Sequence, residues 1–109
     1  MKTKLIALAS ALLLSGTLAL AEVEHTNQTF EHTKAAIVHG EAGHASVLVE
    51  HAEAALTHAE AAQQVKANAH MAEAIVHLKA AIEHGKMGHA EVATAHAKEA
   101  MQHIKMASR

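Results

Sequence analysis

The chemistry of this chain is concentrated in one residue type. Its twelve histidines are His25, His32, His39, His44, His51, His58, His70, His77, His84, His89, His96 and His103. Neutral imidazole suits Cu(II), Ni(II) and Zn(II), with copper(II) bound tightest by the usual affinity order. Cysteine is absent, so neither a thiolate site nor a disulfide framework is available. Within each run the histidines recur every seventh residue. On a helix that places them on one face, about 10.5 Å apart, too far for two of them to share an ion. Chelation within a helix needs spacings of three or four, and no two histidines have them. The second ligand must come from another helix.

The numbering says which one. In two antiparallel helices, residues at the same level have numbers with a constant sum. His25/His58, His32/His51 and His39/His44 all sum to 83, and His70/His103, His77/His96 and His84/His89 all sum to 173. Every histidine therefore has another level with it, giving three rungs in each of two hairpins.

The elements that must hold these rungs follow from composition. Beyond residue 21 the chain has no proline, and its only glycines are Gly40, Gly43, Gly85 and Gly88, inside "HGEAGH" (39–44) and "HGKMGH" (84–89). The rest is rich in Ala, Glu, Lys, Gln, Leu and Met, all good helix formers. Two helical hairpins, each bent at its glycine pair, are expected. The hairpins are copies. Aligning 25–64 with 70–109 gives 17 identities in 40, eleven of them not histidine, including Lys34/Lys79, Ala35-Ala36-Ile37/Ala80-Ala81-Ile82 and Val47/Val92. This is an internal duplication. Asn68, a good N-cap residue, favours a break between the copies at Gln63–Asn68, with one continuous helix from His44 to His84 as the alternative. The expected architecture is all-α, an up-down-up-down four-helix bundle.

Alanines three or four residues from the histidines (Ala35, Ala36, Ala54, Ala55, Ala61, Ala62, Ala80 and Ala81) let the helices approach and the rings converge. Larger apolar residues two before the histidines (Val23, Phe30, Ile37, Val49, Leu56, Ile75, Ile82 and Met101) lie about 160° away. They are expected to face the core while the histidines line an accessible outer groove. Oxygen co-ligands are available from Glu73 and Glu99, which lie between rungs 70/103 and 77/96, and from Glu22, Glu41 and Glu91. A spacing of about 10.5 Å exceeds the Debye length of about 8 Å, so the sites should be nearly independent. Binding should weaken below about pH 6.5, where imidazole protonates.

Other metal chemistries fit less well. Met71, Met87, Met101 and Met106 could hold Cu(I), but methionine at helical spacing reads first as core filler; Met87, in the second turn, is the exception. Glu41-x-x-His44 resembles a di-iron motif, yet Lys86 replaces Glu41 in the second copy. A haem bundle lacks a Cys-x-x-Cys-His motif and an aromatic lining.

Residues 1–21 read as a secretory signal peptide: Lys2 and Lys4, then the apolar run Leu5–Leu14, then Ala19-Leu20-Ala21 as a cleavage site. A mature domain of 22–109 in the periplasm is expected. Without Lys2 and Lys4, seven basic residues face eleven Glu, a net charge of −4 with histidine neutral. Nucleic acid is therefore an unsuitable partner, and no mature segment is apolar enough for a membrane span. No nucleophile–base pair or general-acid constellation points to an enzyme.

A leader, a cysteine-free mature chain and histidine every seventh residue amid Ala, Glu and Lys together resemble the small periplasmic histidine-rich metal-binding proteins of ammonia-oxidising bacteria. The resemblance covers nearly the whole mature chain. It implies a monomeric helical bundle that binds several divalent metals through the twelve histidines, copper foremost, for buffering, storage or detoxification. A hairpin-swapped dimer is the alternative assembly. The rival function is a periplasmic stress chaperone or interaction module with no physiological metal.

Overall fold

The structure, a computed structural model, describes the backbone of residues 2–109 and the side chains from Leu18 onward. It contains four helices: α1 (Lys2–Glu41), α2 (Ala45–Val65), α3 (Ala69–Lys86) and α4 (Ala90–Ala107). α1 packs on α2 and α4, and α3 packs on the same two, while α2 and α4 touch across one diagonal. Short connections make consecutive helices antiparallel, so this is the expected up-down-up-down bundle. Most of the expected leader lies outside the described side chains, and its end at Ala21 falls within α1. Among the described residues, no helix is long and apolar enough to cross a membrane.

The two hairpins are separated by a true break, so a continuous helix from His44 to His84 is excluded. α2 stops at Val65, and Asn68 caps α3 by accepting from the backbone N–H of His70 and Met71 at 2.8 and 3.1 Å. The Gln63 side chain closes the turn by accepting from the Asn68 N–H at 2.8 Å. The N-terminal donors of α3 are thereby satisfied.

Each glycine-bounded turn splits its two glycines between two tasks. In the first, the His44 N–H reaches the His39 carbonyl at 2.9 Å and the Gly43 N–H reaches the Gly40 carbonyl at 2.9 Å. The second repeats this as His89 to His84 at 2.9 Å and Gly88 to Gly85 at 3.0 Å. These are Schellman caps, and their left-handed residue is Gly43 (φ 81°) in one and Gly88 (φ 80°) in the other. Gly40 and Gly85 remain helical and serve packing instead. A Cβ on Gly40 would stand 2.5 Å from Leu48 Cδ1 and closer still to the Thr94 hydroxyl; one on Gly85 would stand 2.5 Å from Val49 Cγ2. Thr94 is the repeat counterpart of Val49, so the two contacts are symmetric copies across the hairpin interface.

The core runs along positions one and four residues after the histidines. Thr33, Ala52, Ala59, Leu78, Ala97 and Ile104 in the first set, and Thr29, Ala36, Ala55, Ala74, Ala81 and Ala100 in the second, are fully buried. The bulky stripe two before the histidines contributes less than expected. Val49, Ile82 and Met101 reach the core, Phe30, Ile37, Leu56 and Ile75 flank it half-buried, and Val23 is 52% exposed. The cause is geometric: positions one and four after the histidines point into the seam between the helices whatever their size, Leu78 and Ile104 as well as the alanines. The stripe two before the histidines lies toward its margin. Thr29 and Thr33 are buried in the seam by bonding their hydroxyls to carbonyls one turn back, at 2.7 Å each.

Candidate metal centre

With the core immediately beside each histidine, the rings are left along the groove between the two helices of a hairpin. All six level pairs are formed. Ring centroids are separated by 5.2 Å for His25/His58, 5.8 Å for His32/His51 and 6.2 Å for His39/His44. In the second hairpin they are 5.7 Å for His70/His103, 5.6 Å for His77/His96 and 6.0 Å for His84/His89. Nitrogen faces nitrogen in three of them. The Nδ1–Nδ1 separation is 3.0 Å for His25/His58, 3.4 Å for His70/His103 and 3.3 Å for His77/His96. Two nitrogens bound to one ion at about 2.0 Å stand about 2.8 Å apart at a right angle and about 3.3 Å apart at the tetrahedral angle. The donor atoms therefore already have the spacing of neighbouring ligands on a single metal.

The rungs are not isolated from one another. Diagonal neighbours are as close as level ones: His32/His58 at 5.7 Å, His39/His51 at 5.4 Å, His77/His103 at 5.8 Å and His84/His96 at 5.4 Å, all within 10° of parallel. Helical side chains lean toward their own N-terminus, and in antiparallel helices those leans are opposed. Rings that are level at the backbone thus slide past each other, and each comes to rest about midway between two rings of the facing helix. Each hairpin carries one file of six imidazoles, in which every interior ring has two possible ligand partners. The expected set of nearly independent two-ring sites is corrected to that extent.

The rings are free to accept a metal. None is fully buried. His44 and His89 occupy the N-cap positions of α2 and α4 without using their side chains as caps. His84 Nδ1 is sealed from solvent and has no hydrogen-bond partner, an arrangement that a metal bond would satisfy. Burial, with help from the neighbouring His25 and His32, holds His58 below the ordinary histidine value of 6.5, against the opposing pull of Glu24. His58 is thereby biased toward the neutral form that ligates.

The carboxylates divide sharply. Glu73 brings an oxygen to within 4.8 Å of ligand nitrogens of both His77 and His103. Glu22 instead accepts from the Thr26 hydroxyl at 3.0 Å. Glu41 is drawn away from the first turn into an ion pair with Lys98 at 2.8 Å, and Lys86 leaves the second turn for Glu53 at 3.5 Å. The Glu41/Lys86 difference therefore acts across the hairpin interface, and Glu41, expected as an oxygen co-ligand, is engaged there instead. Glu53 and Lys98 are themselves repeat counterparts, so a pair of reversed charges was the available signal. Met71 and Met101 are buried in the core, whereas Met87 is 59% exposed in its turn.

The family model for small metal-binding proteins matches residues 1–107. The chain belongs to the small metal-binding protein family. Metal binding is the function that the family description gives, and it names no reaction. No curated protein matches the sequence. The donor set described above fits that function: two files of imidazoles, an unsatisfied ring nitrogen and one carboxylate placed against two rings.

Proposed function

We propose that this member of the small metal-binding protein family holds several divalent transition-metal ions at once in the periplasm. Copper(II) is foremost, nickel(II) and zinc(II) are weaker alternatives, and the role is buffering, storage or detoxification. The observation that carries the reading is the facing of Nδ1 atoms at 3.0, 3.3 and 3.4 Å between level histidines. Soft-to-borderline nitrogen donors without thiolates favour copper over calcium or magnesium, which take oxygen cages. The basic, apolar start of the chain supports export, and the half-exposed rings suit exchange of ions with solution better than their permanent retention.

The test uses one central rung. His32→Ala and His51→Ala should each remove about one bound Cu(II), and the double variant should remove little more, since a file of six rings forms three separate pairs and a file of five or four forms two. Additive losses of two separate ions would contradict pairing. A chaperone with no use for metal would hold unfolded clients equally well in all three variants.

A further inference from the structure

The two files of histidines have the same geometry, but the carboxylates beside them differ. In the second hairpin α3 carries Glu73-Ala-Ile-Val-His77 and α4 carries Glu99-Ala-Met-Gln-His103. A carboxylate four residues before a histidine lies one turn away on the same face, so each helix offers an oxygen and a nitrogen together. Three of these four residues also meet. His77 and His103 are diagonal neighbours, stacked at 5.8 Å and 10°, and Glu99 stands to His103 as Glu73 stands to His77. Glu73 lies with both rings inside 4.8 Å; Glu99 is exposed on α4, one turn before His103. Donors trans to one another on an ion with bonds of about 2 Å are about 4 Å apart. Completing the group requires the exposed Glu99 side chain to turn toward His103, one turn away on the same face of α4.

The first hairpin lacks this group. Its counterpart pair, His32/His58, is stacked almost identically at 5.7 Å and 7°. At the two matching positions, however, stand Gln28 and Ala54, and the Gln28 amide donates to Glu24 at 3.2 Å. The rings are the same, but neither matching position holds a carboxylate.

We propose that Glu73, His77, Glu99 and His103 form a single two-nitrogen, two-oxygen site for a divalent first-row metal ion. It is the first site in the protein to fill. Two carboxylates neutralise the ion's charge, which no two-histidine rung can do, and four donors from adjacent helices exceed the two of a rung. The inference rests on the metal-binding reading above and adds to it an order: the second hairpin loads before the first.

The experiment is a titration of the isotope-labelled protein with less than one equivalent of Cu(II). Paramagnetic broadening should remove the signals of His77 and His103 while those of His32 and His58 persist. Glu73→Gln combined with Glu99→Gln should weaken the first equivalent at least tenfold, since even outer-sphere partners of a metal ligand commonly matter by 10–100-fold. Gln28→Glu with Ala54→Glu should create a second tight site in the first hairpin. All four positions lie outside the core, so folding should survive these changes. Simultaneous broadening in both hairpins, or an unchanged first equivalent in the Glu73/Glu99 double variant, would overturn the proposal while leaving multi-site binding intact. Failure of the unaltered protein to bind Cu(II) at all would overturn both.

Discussion

The first hairpin and the second are the same device built with different materials. All six histidines coincide, and centroid separations of corresponding pairs match closely, from 5.4 Å in both His39/His51 and His84/His96 to 5.2 against 5.7 Å for His25/His58 and His70/His103. Around them the sequence has drifted. α1 buries Thr26, Thr29 and Thr33 where α3 buries Met71, Ala74 and Leu78. The charges at the hairpin interface are reversed: Glu41 and Glu53 in one copy become Lys86 and Lys98 in the other, and the four meet as two ion pairs. What has stayed fixed is register, because a shift of one residue would rotate a histidine by about 100° out of the groove. What was free to vary is how the seam is filled and how the copies recognise each other. A protein of two identical hairpins would set Glu against Glu, or Lys against Lys, at both of those contacts.

The comparison can be broken most forcefully in the core. Leu78→Ala removes a fully buried side chain and should cost about 3–5 kcal/mol. The matching change in the first copy, Thr33→Ala, deletes only a hydroxyl that bonds its own helix together with one methyl, and should cost about 1 kcal/mol. Denaturant unfolding of the two variants tests the asymmetry, and equal losses would show that the threonine seam packs as tightly as the leucine one.

A smaller effect is expected from pH. Because burial and the adjacent His25 and His32 lower the His58 value, the folded chain binds fewer protons there than the unfolded chain. The stabilisation from this group is full above about pH 6.5 and is lost as pH falls through the lowered folded-state value. Metal-free melting followed from pH 7.5 to 5 should show that decline, and His58→Asn should flatten part of it.

The ion pairs should matter least. Both partners of Glu41–Lys98 are about half exposed, and such pairs contribute about 0.2–1 kcal/mol. Glu41→Lys should lower the melting temperature slightly, and combining it with Lys98→Glu should restore it. No recovery in the double variant would remove the interface role assigned to the reversed charges.

Much of this arrangement is legible in the sequence, and what is not has identifiable physical causes. Seven-residue spacing, the constant sums and the glycine turns dictate four helices and the six level pairs, and Asn68 marks the break between copies. Residue numbers, though, describe backbone level and not where a ring comes to rest. The opposed lean of side chains on antiparallel helices, which converts rungs into a file and brings His77 to His103, appears only in three dimensions. Likewise the bulky stripe looked like the core because size suggests burial, whereas the seam runs along the positions one and four after the histidines, which hold alanines and threonines as well as Leu78 and Ile104. Glu73 could be nominated as a co-ligand from its place between two rungs. Which two histidines it would join could not.

The central claim is that imidazoles paired across each hairpin bind ions in number. Equilibrating the protein with excess Cu(II) at pH 7, removing loosely held metal and counting the ions retained per chain tests it most directly. Near six ions, one for every two rings, is the predicted result. Near three would mean rungs shared between hairpins, and one or none would contradict the account.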